Sequence, residues 1–121
     1  LAGLLGRSVE QVQADRPGSV RAVAAKGLIC VLKGPRTLIA EGGRTVINMS
    51  GGPGLATAGT GDVLAGMIGG LLARGSAPLD AAALGVYVHG IAGDKAEAEL
   101  GALSVTSEDV VAKVPMALTG L

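Results

Sequence analysis

The sequence predicts an α/β layered fold, and three observations carry that expectation. "LICVLK" (Leu28–Lys33) is a continuous apolar run with β-branched residues, the pattern of a strand covered on both faces. "TLIAE" and "RTVINM" follow, separated by Gly42-Gly43, which reads as a hairpin. Beyond them lie apolar segments too long for strands, punctuated by Gly75 and Pro78 as helices are. One interior strand cannot form a sheet alone, so further strands are expected ahead of Leu1.

The first residues, "LAGLLG", read as the end of a helix already under way, so the chain is expected to be truncated at its start. Ser8 is suited to cap a helix over Val9–Arg16, with Glu10 and Gln11 in its first turn. A second helix is expected over Val20–Lys26, ended by Gly27. After the strand and hairpin comes a glycine loop from Ser50 to Gly61. Asp62–Arg74 then reads as an apolar, buried helix in which Gly66 and Gly70 would let a neighbour approach. Pro78 opens another helix, with Asp80 in its first turn, running to about Glu99. "TSED" (Thr106–Asp109) begins a last, short helix.

Composition narrows the function. Lys plus Arg and Asp plus Glu both number 10, so no net field draws nucleic acid or an anionic membrane. Tyr87 is the only aromatic residue, which removes base stacking as well. The single Cys30 allows no internal disulfide and fits a reducing cytoplasm; alternating with apolar neighbours, it reads as core. No apolar run reaches the roughly 20 residues of a membrane span, and no signal peptide is visible.

The chemistry concentrates in "GLATAGTGDVLAGMIGGLL" (Gly54–Leu72). It is not a P-loop, because no Lys precedes Thr60, and Leu64 stands where a dinucleotide fingerprint needs a third glycine. Gly59 and Gly61 still bare their N–H groups just where a long helix starts. That is a site for phosphate or a developing oxyanion. Asp62, in the first turn, can accept a proton from a hydroxyl while that oxygen is phosphorylated. The same residues also read as a glycine turn with Asp62 as a helix cap, and spacing alone does not choose.

"KGPRT" (Lys33–Thr37) stands at the carboxyl end of the predicted strand, where ligands of α/β sheets gather. Lys33 could pair with phosphate and Gly34 permits close approach. Taken alone, a basic turn shaped by Pro35 is the simpler reading. Asn48 either shapes the following loop or touches a nucleotide. His89 and Tyr87 read as structural, and "EDVVAKV" as a surface helix.

In combination, "VLKGPRT", Ile47-Asn48, "GGPGLATAGTGDVLAGMIGGLLARG" and "GVYVHGIAGD" resemble the ADP- or ATP-dependent NAD(P)HX dehydratases of the ribokinase-like superfamily. The resemblance runs from the first residues almost to the end, and residues 1–121 are expected to be part of a single domain. It implies the C-terminal half of a three-layer α/β/α ribokinase-like domain. It further implies dehydration of the S-epimer of NADHX or NADPHX, restoring NAD(P)H with ADP in bacteria and ATP in eukaryotes. By position, Lys33, Gly34, Pro35, Arg36, Thr37 and Gly61 would contact the nucleotide, joined by Asn48, Gly59 and Thr60. Asp62 would act at the hydroxyl of the hydrated ring. Mg²⁺ would neutralise the phosphates, although no cluster of metal ligands is evident. A homo-oligomer, a tetramer as in the family, is implied too.

Three departures stand out. Ser50-Gly51-Gly52-Pro53 replaces the usual T-G-N-P, and Ala58 replaces a glycine. The family's H-P-G-E motif would fall just before Leu1. The alternatives are a small-molecule kinase of the same superfamily, phosphorylating an alcohol, or an inactive nucleotide-binding fragment.

Overall fold

A computed structural model describes residues 1–121, which form two compact units, 1–48 and 49–121. Together they hold six α-helices and one small sheet, the α/β composition that the sequence predicts.

In the first unit, α1 (Ala2–Leu5) ends on Gly6 at φ +64. Ser8 caps α2 (Val9–Ala14) through a capping box with Gln11. The next helix, α3 (Arg16–Ala24), begins four residues earlier than expected. Asp15 is the reason: its carboxylate accepts from the Gly18 N–H at 3.0 Å, and Pro17 fits the first turn of a helix. What reads in the sequence as the tail of α2 is therefore the cap of α3.

Strands β1 (Ile29–Leu32), β2 (Leu38–Glu41) and β3 (Arg44–Ile47) form one antiparallel meander in that order. Glu41 pairs with Arg44 across a two-residue turn of Gly42 (φ +55) and Gly43, as the glycine pair predicts. The expectation that β1 is covered on both faces is corrected. Only Cys30 is buried in β1, whereas Leu38, Ile39 and Ala40 are all buried in β2. β2 has hydrogen-bonded neighbours on both sides and β1 on one. Val20, Val23 and Ala24 of α3 pack against Cys30, Leu38 and Ala40 to make this unit's core. Burial pushes the Cys30 thiol above its ordinary pKa, so it stays protonated at neutral pH.

In the second unit, a 3₁₀ turn (Pro53–Ala56) leads into α4 (Thr60–Ala73), α5 (Pro78–Leu100) and α6 (Ser107–Thr119). The central α5 has 23 residues and is about 35 Å long. Its Val88, Ala92 and Ala96 meet Val105, Val110 and Ala117, with Leu55, Val63 and Met67 packed alongside. α6 is longer than expected. Thr106 and Asp109 cap it reciprocally, and it continues through Pro115 to Thr119.

Two expectations for α4 fail. It is not buried: among its apolar residues only Leu64 is, because α5 and α6 cover one side of it. Nor do Gly66 and Gly70 admit a neighbour, since a Cβ at either would meet nothing within 4 Å. Close approach falls to α5 instead, where a Cβ on Gly85 would lie 2.7 Å from Ile68 and one on Gly93 2.5 Å from Leu55. No helix is long and apolar enough to cross a membrane.

Candidate active site

α4 starts on Gly59, whose φ of +89 lies in the region that favours glycine. Thr60 and Gly61 are helical, so α4 begins two residues earlier than expected and Asp62 is its third residue. No side chain caps this helix. Asp62 is therefore not a cap, and its side chain is exposed beside the helix N-terminus.

The start of α4 is held from within. The Thr60 N–H donates to the Thr57 carbonyl at 3.3 Å and the Asp62 N–H to the Gly59 carbonyl at 3.1 Å. The buried Thr60 hydroxyl donates to the Leu55 and Thr57 carbonyls, 2.7 and 2.9 Å away. His89 of α5 reaches the Thr60 carbonyl with Nε2 at 2.9 Å. A carbonyl only accepts, so Nε2 carries the proton in this bond. Thr60 is thus occupied in shaping the turn, and the N–H groups of Gly59 and Gly61 are the donors left at the start of α4.

The glycine loop ahead of α4 lies along α5. The Gly51 N–H donates to Asp94 Oδ2 at 3.1 Å and the Gly54 N–H to Glu97 Oε2 at 3.0 Å. The Ser50 hydroxyl donates to the Tyr87 carbonyl at 3.0 Å, where a Cβ on Gly90 would lie 2.0 Å from Ser50 Oγ. Tyr87 itself is exposed. One departure from the family pattern finds a local reason here. A Cβ at Gly52 would lie 3.0 Å from Glu97 Oε2, so glycine suits a loop drawn this close to the carboxylate. Sequence reasoning reads Asp94 only as part of a motif and does not single out Glu97. Neither signalled a clamp on the loop.

Asp62 also borders an open groove of about 510 Å³. Val63, Gly66 and Met67 of α4 line it with Val111, Val114 and Pro115 of α6. The groove is apolar apart from this one carboxylate.

In the first unit, Lys33–Arg36 form the exposed turn between β1 and β2, and Thr37 is buried at its end. The Thr37 hydroxyl donates to the Gly34 carbonyl at 3.3 Å. Asn48 is brought to the same place: buried at the end of β3, it donates its N–H to the Thr37 carbonyl at 2.8 Å. Lys33, Gly34, Pro35, Arg36, Thr37 and Asn48 therefore form one cluster, and Gly59, Thr60, Gly61 and Asp62 form another in the second unit. Sequence reasoning missed Arg16, whose guanidinium enters the Lys33 turn; its partners lie 16 to 20 residues away along the chain.

The chain is similar to characterised proteins over most of its length. The family described as NAD(P)H-hydrate dehydratase matches residues 2–116. The ADP-dependent (S)-NAD(P)H-hydrate dehydratase of Neisseria meningitidis is 52% identical over 95 residues, covering 77% of this chain and 32% of that protein. The bifunctional NAD(P)H-hydrate repair enzyme Nnr of Thermofilum pendens is 45% identical over 123 residues, covering all of this chain and 24% of that protein. The chain thus spans about a quarter to a third of these relatives. Among solved structures, the ADP/ATP-dependent NAD(P)H-hydrate dehydratase from Bacillus subtilis, co-crystallised with ATP/Mg²⁺, superposes with a TM-score of 0.90 at 32% identity. That match covers 95% of this chain and 42% of that one, and it bears out the ribokinase-like α/β fold. With the family matched from residue 2 to residue 116, the chain belongs to the NAD(P)H-hydrate dehydratases.

Proposed function

We propose that this chain serves the nucleotide-dependent dehydration of the S-epimer of hydrated NADH or NADPH, as part of a single ribokinase-like domain. The observation that carries the reading is the uncapped start of α4, with Gly59 at φ +89 and Asp62 exposed two residues after the helical Thr60. A side-chain cap would have taken up a donor here; this start leaves the Gly59 and Gly61 N–H groups to an anion beside a carboxylate.

The reaction follows from those groups. Asp62 accepts the proton of the ring hydroxyl, and the freed oxygen attacks the terminal phosphoryl of ADP or ATP. One O–P bond forms as the bond to the leaving nucleotide breaks. The Gly59 and Gly61 N–H groups donate to the phosphoryl oxygens as charge spreads over them. The ring nitrogen's lone pair then expels the oxygen as phosphate, and loss of a proton from the neighbouring carbon restores the dihydropyridine. In the first unit, Lys33 and the Gly34–Thr37 backbone bind nucleotide phosphate, and Asn48 keeps Thr37 in place.

No group of three or more His, Cys, Asp or Glu side chains converges. Mg²⁺ would therefore arrive with the nucleotide and be held chiefly by phosphate and water, as it commonly is; no step above is routed through it. ADP is the nucleotide named for the Neisseria relative and both ADP and ATP for the Bacillus enzyme, which supports the same choice here. The exposed Leu72, Val111, Met116 and Leu118 favour a homo-oligomer, the tetramer that the resemblance implies. A buried, reduced Cys30 suits the cytoplasm.

The test is Asp62→Asn. Turnover of hydrated NADH falls by at least about 100-fold, the scale of a lost general base, while nucleotide affinity stays within a few-fold. Undiminished turnover would remove Asp62 from the mechanism.

A further inference from the structure

Arg16 is the first residue of α3, and its guanidinium fills the inside of the β1–β2 turn. Nη2 donates to the Leu32 carbonyl at 3.3 Å and to the Arg36 carbonyl at 3.2 Å. Nη1 donates to the Lys33 carbonyl at 3.4 Å and to Gln13 Oε1 at 3.1 Å. With the Thr37 hydroxyl on the Gly34 carbonyl, four backbone oxygens between Leu32 and Arg36 are engaged by donors of the unit itself. Gly34 is matched to this arrangement, since a Cβ there would lie 2.7 Å from Arg16 Nη1.

The electrostatic consequence bears on anion binding. A loop that binds phosphate through its backbone has to present N–H groups and keep its carbonyl oxygens, which repel the anion, turned away. Three carbonyls converging on one planar, permanently charged fork are kept from such an encounter. The same guanidinium adds a third cation to a segment that already carries Lys33 and Arg36. An ammonium group could not replace it, because a point charge on a flexible stem does not span three fixed acceptors.

We propose that Arg16 is a positioning residue for nucleotide binding: from inside the turn it sets the conformation in which Lys33 and the backbone N–H groups of the Lys33–Thr37 segment receive phosphate. Arg16 itself does not touch the nucleotide. The inference rests on the reading of that segment as the nucleotide loop, and the experiment separates the two.

The affinity of the full chain for ADP and for ATP is measured by calorimetry in the unchanged protein and in Arg16→Lys and Arg16→Ala. Steady-state KM and kcat are measured for nucleotide and for hydrated NADH. Both variants are expected to bind nucleotide about tenfold more weakly, with KM for nucleotide raised alike. KM for hydrated NADH and kcat at saturating nucleotide should stay within twofold. Millimolar guanidinium should restore part of the affinity of Arg16→Ala, and ammonium should not. Arg16→Lys keeps charge and stem, so it decides the matter if Arg16→Ala fails to fold. Nucleotide binding within twofold of the unchanged protein in Arg16→Lys overturns the positioning role, as does an equal loss in kcat and in both KM values. If the unchanged protein binds neither nucleotide, the reading of the loop falls and this role with it.

Discussion

His89 Nε2 donates to the carbonyl of Thr60 across 2.9 Å, joining the middle of α5 to the first helical residue of α4. His89 is buried, as is Thr60. The bond fixes the turn whose neighbouring N–H groups are proposed to receive phosphate. A histidine that reads in the sequence as structural is therefore structural at the place where the chemistry is proposed.

Removing it should cost both stability and order at that turn. His89→Ala leaves a buried carbonyl without this donor and opens a cavity, at about 2 kcal/mol or more. Urea unfolding measures the loss. Exchange of the Thr60 and Asp62 amides, which are bonded within this turn, should quicken in the variant under native conditions when followed by NMR.

The glycines of α4 and α5 should respond in opposite directions to the same substitution. Gly66→Ala and Gly70→Ala meet open space and should stabilise by roughly 0.5–1 kcal/mol each, the difference in helix propensity. Gly93→Ala would drive a methyl to 2.5 Å from Leu55 and Gly90→Ala to 2.0 Å from Ser50, so each should destabilise by about 1–3 kcal/mol. Thermal unfolding of the four variants gives the signs.

The carboxylates of α5 make a third prediction. Asp94→Ala frees the Gly51 N–H and Glu97→Ala the Gly54 N–H. Amide exchange should rise about tenfold at the glycine that loses its acceptor and little at the other. A cost of about 1 kcal/mol per variant is expected, since both bonds have a charged acceptor but partial solvent access.

Asp109 sets a pH dependence. The Thr106 N–H and hydroxyl, both 2.8 Å from Oδ2, hold its carboxyl below the ordinary 3.8. A folded-state value below the unfolded one means stabilisation that is present above pH 3.8 and fades as pH falls through the lowered value. NMR titration should find Asp109 below 3.8, and Asp109→Asn should remove that part of the acid dependence of stability.

Much of this was legible from local signals. Ser8 and Thr106 cap helices with acceptors three residues on, and Gly42-Gly43 closes a hairpin, because each of these devices is complete within four residues. Asp15 was misread because its cap lies directly against the end of the preceding helix. The apolar composition of α4 told that it could be buried, but which of its faces meet a neighbour depends on α5 and α6. For the same reason glycine spacing pointed to Gly66 and Gly70 when the close approaches are at Gly85, Gly90 and Gly93. Asp62 stands out in the sequence by the glycines beside it, and the structure places it exposed in the first turn of α4. Arg16, Asp94 and Glu97 escaped notice because their partners are backbone groups 16 to 43 residues away, and no side-chain pattern marks such partners.

The most direct test of the central claim is the absorbance of reduced nicotinamide after purified protein is mixed with hydrated NADH, with and without ADP or ATP. The account predicts that the absorbance of NADH returns only when nucleotide is present, with one phosphate released per NADH restored, and that Asp62→Asn abolishes both. Restoration without nucleotide, or nucleotide consumption with no return of NADH, would contradict it.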